Sequence, residues 1–278
     1  LSKIQWIKAT SNPVRVLKED GTLGGHWCQK ISEGCANCYA EAINNNSYFS
    51  FASHLKYAGE APKLELDRKE LARWTRVRET KRVFVGSMTD IFGDWVPRDW
   101  HFEMFDAAFN SKLIFQFLTK RPDIMLQACA DWLNARGRDL LPSNFWMGCT
   151  VENQRVVNER LPYLTQIPTF VLFVSCEPLL EEVCLGDYVN HLSWAIIGGE
   201  SGKGARPCQV DWMRSLVRQC RSAANGPAVF VKQLGSKPVF SESDYPDHFP
   251  HFHLSNSKGG DIDEFPEDLR IQEFPLPL

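Results

Sequence analysis

No apolar run in this chain approaches the roughly 20 residues that a helix needs to cross a bilayer, so no membrane partner is expected. No charged-then-apolar signal pattern opens the sequence, and the expected location is cytoplasmic. An excess of basic charge is lacking as well. The 31 Lys and Arg against 34 Asp and Glu leave a formal net charge of −3, which gives no general attraction for nucleic acid or anionic lipid. A local basic patch stays open. The chain carries no H-E-x-x-H zinc motif, no phosphate loop ending in Gly-Lys-Ser/Thr and no G-x-G-x-x-G dinucleotide turn. A serine triad has no constellation here, and no internal repeat or long low-complexity stretch is evident.

With 44% apolar and 23% charged residues in 278, the chain has ample material for one large domain or two ordinary ones. Nine cysteines, an odd number, argue against a complete set of internal disulfides. Cys129, Cys149, Cys176, Cys184, Cys208 and Cys220 are scattered through apolar or helical segments and read as small core hydrophobes. Cys28, Cys35 and Cys38 differ: they stand as C-x6-C-x2-C and can converge on one metal centre. Soft thiolates suit zinc, copper(I) or iron–sulfur clusters. His26 offers the fourth ligand of a closed Cys3His zinc site. His248, His251 and His253, in the proline-rich tail, are a weaker zinc candidate.

Short apolar runs at Lys3–Trp6, Arg82–Ser87, Lys112–Leu118, Asn144–Thr150, Thr169–Ser175, Leu192–Gly198 and Ala228–Gln233 read as seven strands. Helical spacing falls over Cys35–Tyr48, Arg68–Arg78, Asp99–Asn110, Pro122–Asn134, Asn153–Leu164 and Asp211–Asn225. Strands apolar on both faces, alternating with helices, predict an α/β fold with a parallel sheet. Nearly every strand ends in a polar or glycine-rich cluster. Reactive groups offered by the ends of many strands suit a TIM-like partial (β/α) barrel of six or seven strands, where those ends share one mouth. The barrel is expected over residues 1–236, with a cysteine-bearing N-terminal loop, and an irregular extension over 237–278 packed on it.

The strand ends supply the candidate site. Glu177 follows an apolar strand and precedes Pro178, which faces its carboxylate toward the mouth; a salt bridge to Lys120 or Arg121 is the competing use. Gly198, Gly199, Glu200 and Ser201 form a glycine-rich turn that permits close backbone approach to a ligand, or serves simply as a tight turn. Arg206 can hold a carboxylate or phosphate as a fork. Lys120, Arg121, Glu152, Asn153, Lys232 and Gln233 complete the rim. Four cations among these make an anionic substrate a candidate, a nucleotide or a base within a nucleic acid included, although mixed charges also form ordinary ion pairs.

Several stretches together carry a resemblance: Cys28–Glu41, VFVGSMTDIFG (83–93), FLTKRP (117–122), MGCTVENQ (147–154), SCEPLL (175–180), IIGGESG (196–202) with Ala205-Arg206-Pro207, FVKQLG (230–235) and FPEDLRIQEFP (265–275). They resemble the phage Gp37/Gp68 family (DUF5131-like), uncharacterised bacterial and phage proteins related to the radical S-adenosylmethionine (SAM) superfamily. The resemblance implies a [4Fe–4S] cluster on Cys28, Cys35 and Cys38, with SAM at the fourth iron and a reducing electron donor as partner. It further implies that Ser87, Thr89 and Asp90 handle the amino end of SAM, with helix capping as their alternative use. Glu152, Glu177, Gly198, Gly199, Glu200, Ser201, Arg206, Lys232 and Gln233 join them as cofactor contacts, and Glu177, Glu200, Lys120 and Arg121 as catalytic groups. The first cysteine spacing is longer than the three residues usual in that superfamily, and Asn37 stands where an aromatic residue usually precedes the last cysteine. The expected activity is radical SAM hydrogen abstraction from an unidentified substrate. The alternative is a non-enzymatic, zinc-stabilised phage or host interaction protein, or a nucleic-acid-binding one.

Overall fold

A computed structural model describes residues 5–49, 51–242, 244 and 254–275. The chain forms two compact units, Leu1–Gly148 with Gln166–Phe170, and Cys149–Thr165 with Val171–Leu278. The first unit holds β1 (Ala9–Ser11), β2 (Val14–Leu17), β3 (Leu23–Gly24), α1 (Tyr39–Asn44), β4 (Leu64–Leu66), α2 (Arg68–Trp74), β5 (Arg82–Val85), α3 (Arg98–Phe109), β6 (Ile114–Thr119) and α4 (Pro122–Arg136). Strand β7 (Phe145–Thr150) starts in the first unit and ends in the second. The second unit continues with α5 (Gln154–Leu164), β8 (Val171–Cys176), β9 (Trp194–Gly198), β10 (Cys208–Gln209), α6 (Val210–Ser222), β11 (Ala228–Gln233) and β12 (Pro238–Val239).

The fold is the expected α/β type. Seven strands form one sheet in the order β1-β5-β6-β7-β8-β9-β11, the sequential order of a TIM-like partial (β/α) barrel. Pairs β1–β5, β5–β6, β8–β9 and β9–β11 are parallel.

The first strand lies later than the apolar pattern predicts. Gln5 and Trp6 are in a turn, while Lys3 and Ile4 fall outside the described residues. Trp6 is buried against Phe84 with ring centroids 5.1 Å apart, so its apolarity anchors the turn instead of building a strand. Ala9–Ser11 pairs with β5 through its backbone, and Ser11 Oγ donates to Glu70 at 2.6 Å and accepts from Trp74 Nε1 at 2.9 Å. A strand stabilised by polar contacts leaves no apolar run to read. The antiparallel β3-β2-β4 sheet was likewise invisible as periodicity, because its strands span only two to four residues.

Four buried rings organise the first unit's core. Phe105, Phe117 and Phe145 meet pairwise at 5.5 Å, and Trp132 lies 5.9 Å from Phe145. These side chains carry α3, α4, β6 and the start of β7. Helix α4 begins at Pro122 and ends at Gly137, which adopts φ +60° as the left-handed cap. Helix α1 is shorter than its expected Cys35–Tyr48 span. It stops at Asn44, whose side chain turns inward, accepting from the His26 amide at 2.9 Å and donating to Ser53 Oγ at 2.6 Å.

In the second unit Trp194 packs against Phe173 and Phe230, with Phe274 on both Trp194 and Phe230. Gln272 bridges to Phe230 of β11, and Glu273 pairs with Arg221 at 2.6 Å. The described part of the C-terminal segment is therefore fixed to its own unit. His248, His251 and His253 lie outside the described residues.

Candidate metal centre and strand-end polar clusters

The cysteine loop sits in the first unit beyond the C-terminal ends of β5 and β6. Strand β5 runs into Gly86, at φ +78°, where a Cβ would lie 2.7 Å from the Thr89 carbonyl. This turn delivers Ser87, Thr89 and Asp90 to the loop. Thr89 Oγ1 donates to the Trp27 carbonyl at 2.5 Å, and the Asp90 amide donates to Cys28 Sγ at 3.5 Å. The Asp90 carboxylate accepts from four donors: the Phe92 amide, Thr119 Oγ1, the Lys120 amide and Arg121 Nη1, at 3.1, 2.7, 3.0 and 3.3 Å. Arg121 also donates to the Gln29 carbonyl at 3.3 Å and lies over Trp95, 4.6 Å from the ring centroid.

The other side of the loop is fixed as firmly. Lys30 pairs with Glu41 at 2.5 Å, and the Tyr57 amide donates to the same carboxylate at 2.8 Å. Tyr57 is buried, donates its hydroxyl to the Met88 carbonyl at 2.6 Å, and packs with Met88 and Ala40 against Cys28 and Cys38. Tyr39 donates to the Ser87 carbonyl at 2.7 Å, and Asn12 Oδ1 accepts from the Met88 amide at 2.9 Å.

Cys28, Cys35 and Cys38 are free thiols of intermediate exposure. Burial pushes the Cys28 thiol up to about 12; the Asp90 carboxylate and Cys38 add to that rise, while the Asp90 amide and Arg121 oppose it. Burial also raises Cys38, with Lys120 opposing and Cys35 reinforcing. Cys28, Cys38 and Cys35 are thus successive electrostatic neighbours. As placed, no three His, Cys, Asp or Glu side chains among the described residues are gathered as tightly as a bound metal ion requires. The donor chemistry nevertheless fits a thiolate-bound centre: three soft ligands beside two cations, in a loop held by other groups. His26 has a different use. Its ring is buried with Nδ1 3.1 Å from the Val14 carbonyl, and burial lowers its pKa to about 4.

The second unit gathers its own strand-end groups. Lys232 Nζ lies 2.7 Å from Glu177 Oε1, and Ser175 Oγ donates to Oε2 at 3.3 Å. Glu177 therefore pairs with Lys232, where the sequence suggested Lys120 or Arg121. Gly198 sits against this pair, since a Cβ there would lie 2.9 Å from Glu177 Oε1 and 3.3 Å from Gln233 Cγ. At Gly199 a Cβ would come within 2.2 Å of the Leu234 carbonyl, and Gln233 Nε2 donates to the Gly199 carbonyl at 2.8 Å. Close packing of β9 and β11 ends accounts for both glycines. Glu200 is buried and holds Arg206 through three bonds: from the amide at 2.9 Å, Nε at 2.9 Å and Nη2 at 2.6 Å. Ser201 follows at the edge of this pair, partly exposed. Glu152 is fully buried and pairs with Arg160 at 2.7 Å, and Asn153 caps α5 through the Val156 amide.

Three of the four cations expected at the rim, Arg121, Arg206 and Lys232, thus hold carboxylates of the chain. Among the described residues, the Lys120 ammonium has no ion-pair partner within salt-bridge distance. Sequence reasoning missed Asn12, Tyr57, Trp95 and Arg160. Only Asn12 left a signal, in its Asn-Pro turn; the others read as ordinary core or helix residues.

A family model, described as a protein of unknown function (DUF5131), matches residues 1–252. The chain belongs to the DUF5131 family. No curated protein and no solved structure matches this DUF5131 chain.

Proposed function

We propose that this DUF5131 protein is a cytoplasmic radical SAM enzyme, akin to the phage Gp37/Gp68 proteins, acting on an anionic or nucleotide-related substrate. The observation that supports it best is the set of Cys28, Cys35 and Cys38: free, partly exposed thiols beside Arg121 and Lys120, beyond the ends of parallel strands. In this reading the three thiolates hold a [4Fe–4S] cluster. When bound, the cluster supplies the electron that cleaves SAM into methionine and a 5′-deoxyadenosyl radical able to abstract hydrogen.

The chain's own residues divide the remaining work. Lys120 is the cation available to an anionic group. Ser87, Thr89 and Asp90 shape the wall beside the thiols, and Thr89 and Asp90 do so by bonding the cysteine loop. Glu177 with Lys232, and Glu200 with Arg206, are charge pairs able to exchange partners with a polar ligand. An external reductant completes the electron supply.

Anaerobic reconstitution with iron and sulfide tests this reading. The expected result is visible charge-transfer absorbance, an EPR signal that changes with SAM, and reductive release of 5′-deoxyadenosine. Iron uptake should vanish in Cys28→Ser, Cys35→Ser and Cys38→Ser and persist in Cys184→Ser, whose thiol is exposed and outside the loop. Stoichiometric zinc without cluster uptake would overturn it in favour of a zinc-stabilised interaction protein.

A further inference from the structure

We propose that Arg121 and Asp90 are positioning residues that set the reduction potential at Cys28 and do not contact substrate. This rests on the cluster reading above and extends it. Arg121 has only 8% of its side chain exposed, and its guanidinium is held on three sides: the Asp90 carboxylate at 3.3 Å, the Gln29 carbonyl at 3.3 Å and the Trp95 face at 4.6 Å. A cation so confined cannot swing out to a ligand. It is instead a fixed charge, bonded to the carbonyl of Gln29, the residue that follows Cys28.

Asp90 links that charge to the sulfur. Its amide donates to Cys28 Sγ, and its carboxylate, with four donors, is oriented as firmly as Arg121. One residue thus brings an N–H dipole and a negative charge to the same thiol, with Arg121 as the compensating positive charge. Hydrogen bonds to cysteine sulfur and local net charge are among the levers that set iron–sulfur potentials. Low exposure on both partners, 8% and 10%, keeps solvent from screening them.

Reduction adds an electron, so a nearby cation favours it and a nearby anion opposes it. Arg121→Gln is expected to move the midpoint potential of the reconstituted cluster to more negative values. Asp90→Asn keeps the backbone amide and removes the anion, and is expected to move it to more positive values. Arg121→Lys keeps the charge and should remain near wild type, as should Arg98→Gln, at an exposed arginine paired with Asp131. The measurement is a dye-mediated redox titration read by EPR, at matched iron content.

Opposite signs for Arg121→Gln and Asp90→Asn would carry the proposal, because loosened packing alone has no reason to invert with the charge removed. Unchanged potentials in both variants at full iron content would overturn it while leaving the cluster reading intact. Should Arg121→Gln fail to fold, the Asp90→Asn and Arg121→Lys pair decides by the same rule. A wild-type protein that takes zinc and no cluster removes the foundation, and the proposal with it.

Discussion

Lys30 Nζ lies 2.5 Å from Glu41, joining the start of the cysteine loop to the helix that follows it. The Tyr57 amide binds the same carboxylate, Thr89 binds the Trp27 carbonyl, and Arg121 binds that of Gln29. The loop is therefore closed by the protein's own hydrogen bonds. Its folding is expected to be independent of metal: thermal unfolding after exhaustive chelation, and of the Cys28→Ser/Cys35→Ser/Cys38→Ser triple variant, should stay within a few degrees of wild type. Small structural zinc domains behave in the opposite way and unfold when metal is removed. A collapse of Tm on chelation would contradict the arrangement described here.

The ring cluster of the first unit should respond to truncation far more than its surface does. Phe117 touches Phe92, Phe105, Phe115 and Phe145 and is fully buried, so Phe117→Ala is expected to cost about 3–5 kcal/mol. Asp67→Ala removes the side chain that caps α2 through the Lys69 and Glu70 amides and should cost about 1 kcal/mol. Denaturant titration of the two variants checks both the size and the order.

In the second unit Glu152 is fully buried, and Arg160 beside it also donates to the Thr150 carbonyl at 2.7 Å. Removing the cation alone strands a carboxylate in the interior. Arg160→Met is expected to destabilise by about 3–5 kcal/mol, and adding Glu152→Leu to recover part of that loss. Equal stability of wild type and Arg160→Met in urea would contradict the pair's role.

His101 gives the protein an acid-sensitive site. Its ring is buried, stacks on Phe92 at 5.3 Å and has Nε2 2.8 Å from the Ile91 carbonyl; burial holds its pKa below the ordinary value. The unfolded chain then binds a proton that the folded one refuses. Stability should fall as pH drops below the ordinary histidine pKa of about 6.5, and the loss should level off below the folded value. His101→Phe removes this linkage, so its stability between pH 7 and 5 should decline less steeply than wild type, measured by urea unfolding at each pH.

Much of the scaffold was legible because its signals are local. Six of the seven sheet strands coincide with apolar runs, and α4 starts at Pro122 as its spacing predicts. The exception, Ala9–Ser11, is stabilised by hydrogen bonds to Glu70 and Trp74 some sixty residues away. The candidate site was legible in its residues and less so in their pairings. Glu177 stood out as a strand-end acid, but its partner Lys232 comes from β11, and spacing along the chain does not separate Lys232 from Lys120 or Arg121 as its partner. Gly198 and Gly199 stood out as a ligand turn, and backbone packing against β11 now accounts for their lack of side chains.

The sequence by itself determined the α/β class, the sequential strand–helix order and the unusual grouping of Cys28, Cys35 and Cys38. All three depend on spacing along the chain and on the burial preferences of individual residues. Only the tertiary structure decided that Asp90 bonds Cys28, that Arg121 is locked between Asp90 and Trp95, and that His26 is a core residue beside Val14. Those contacts join residues far apart in sequence, and side-chain charge alone does not specify which opposite charge will be nearest once the strands are in register.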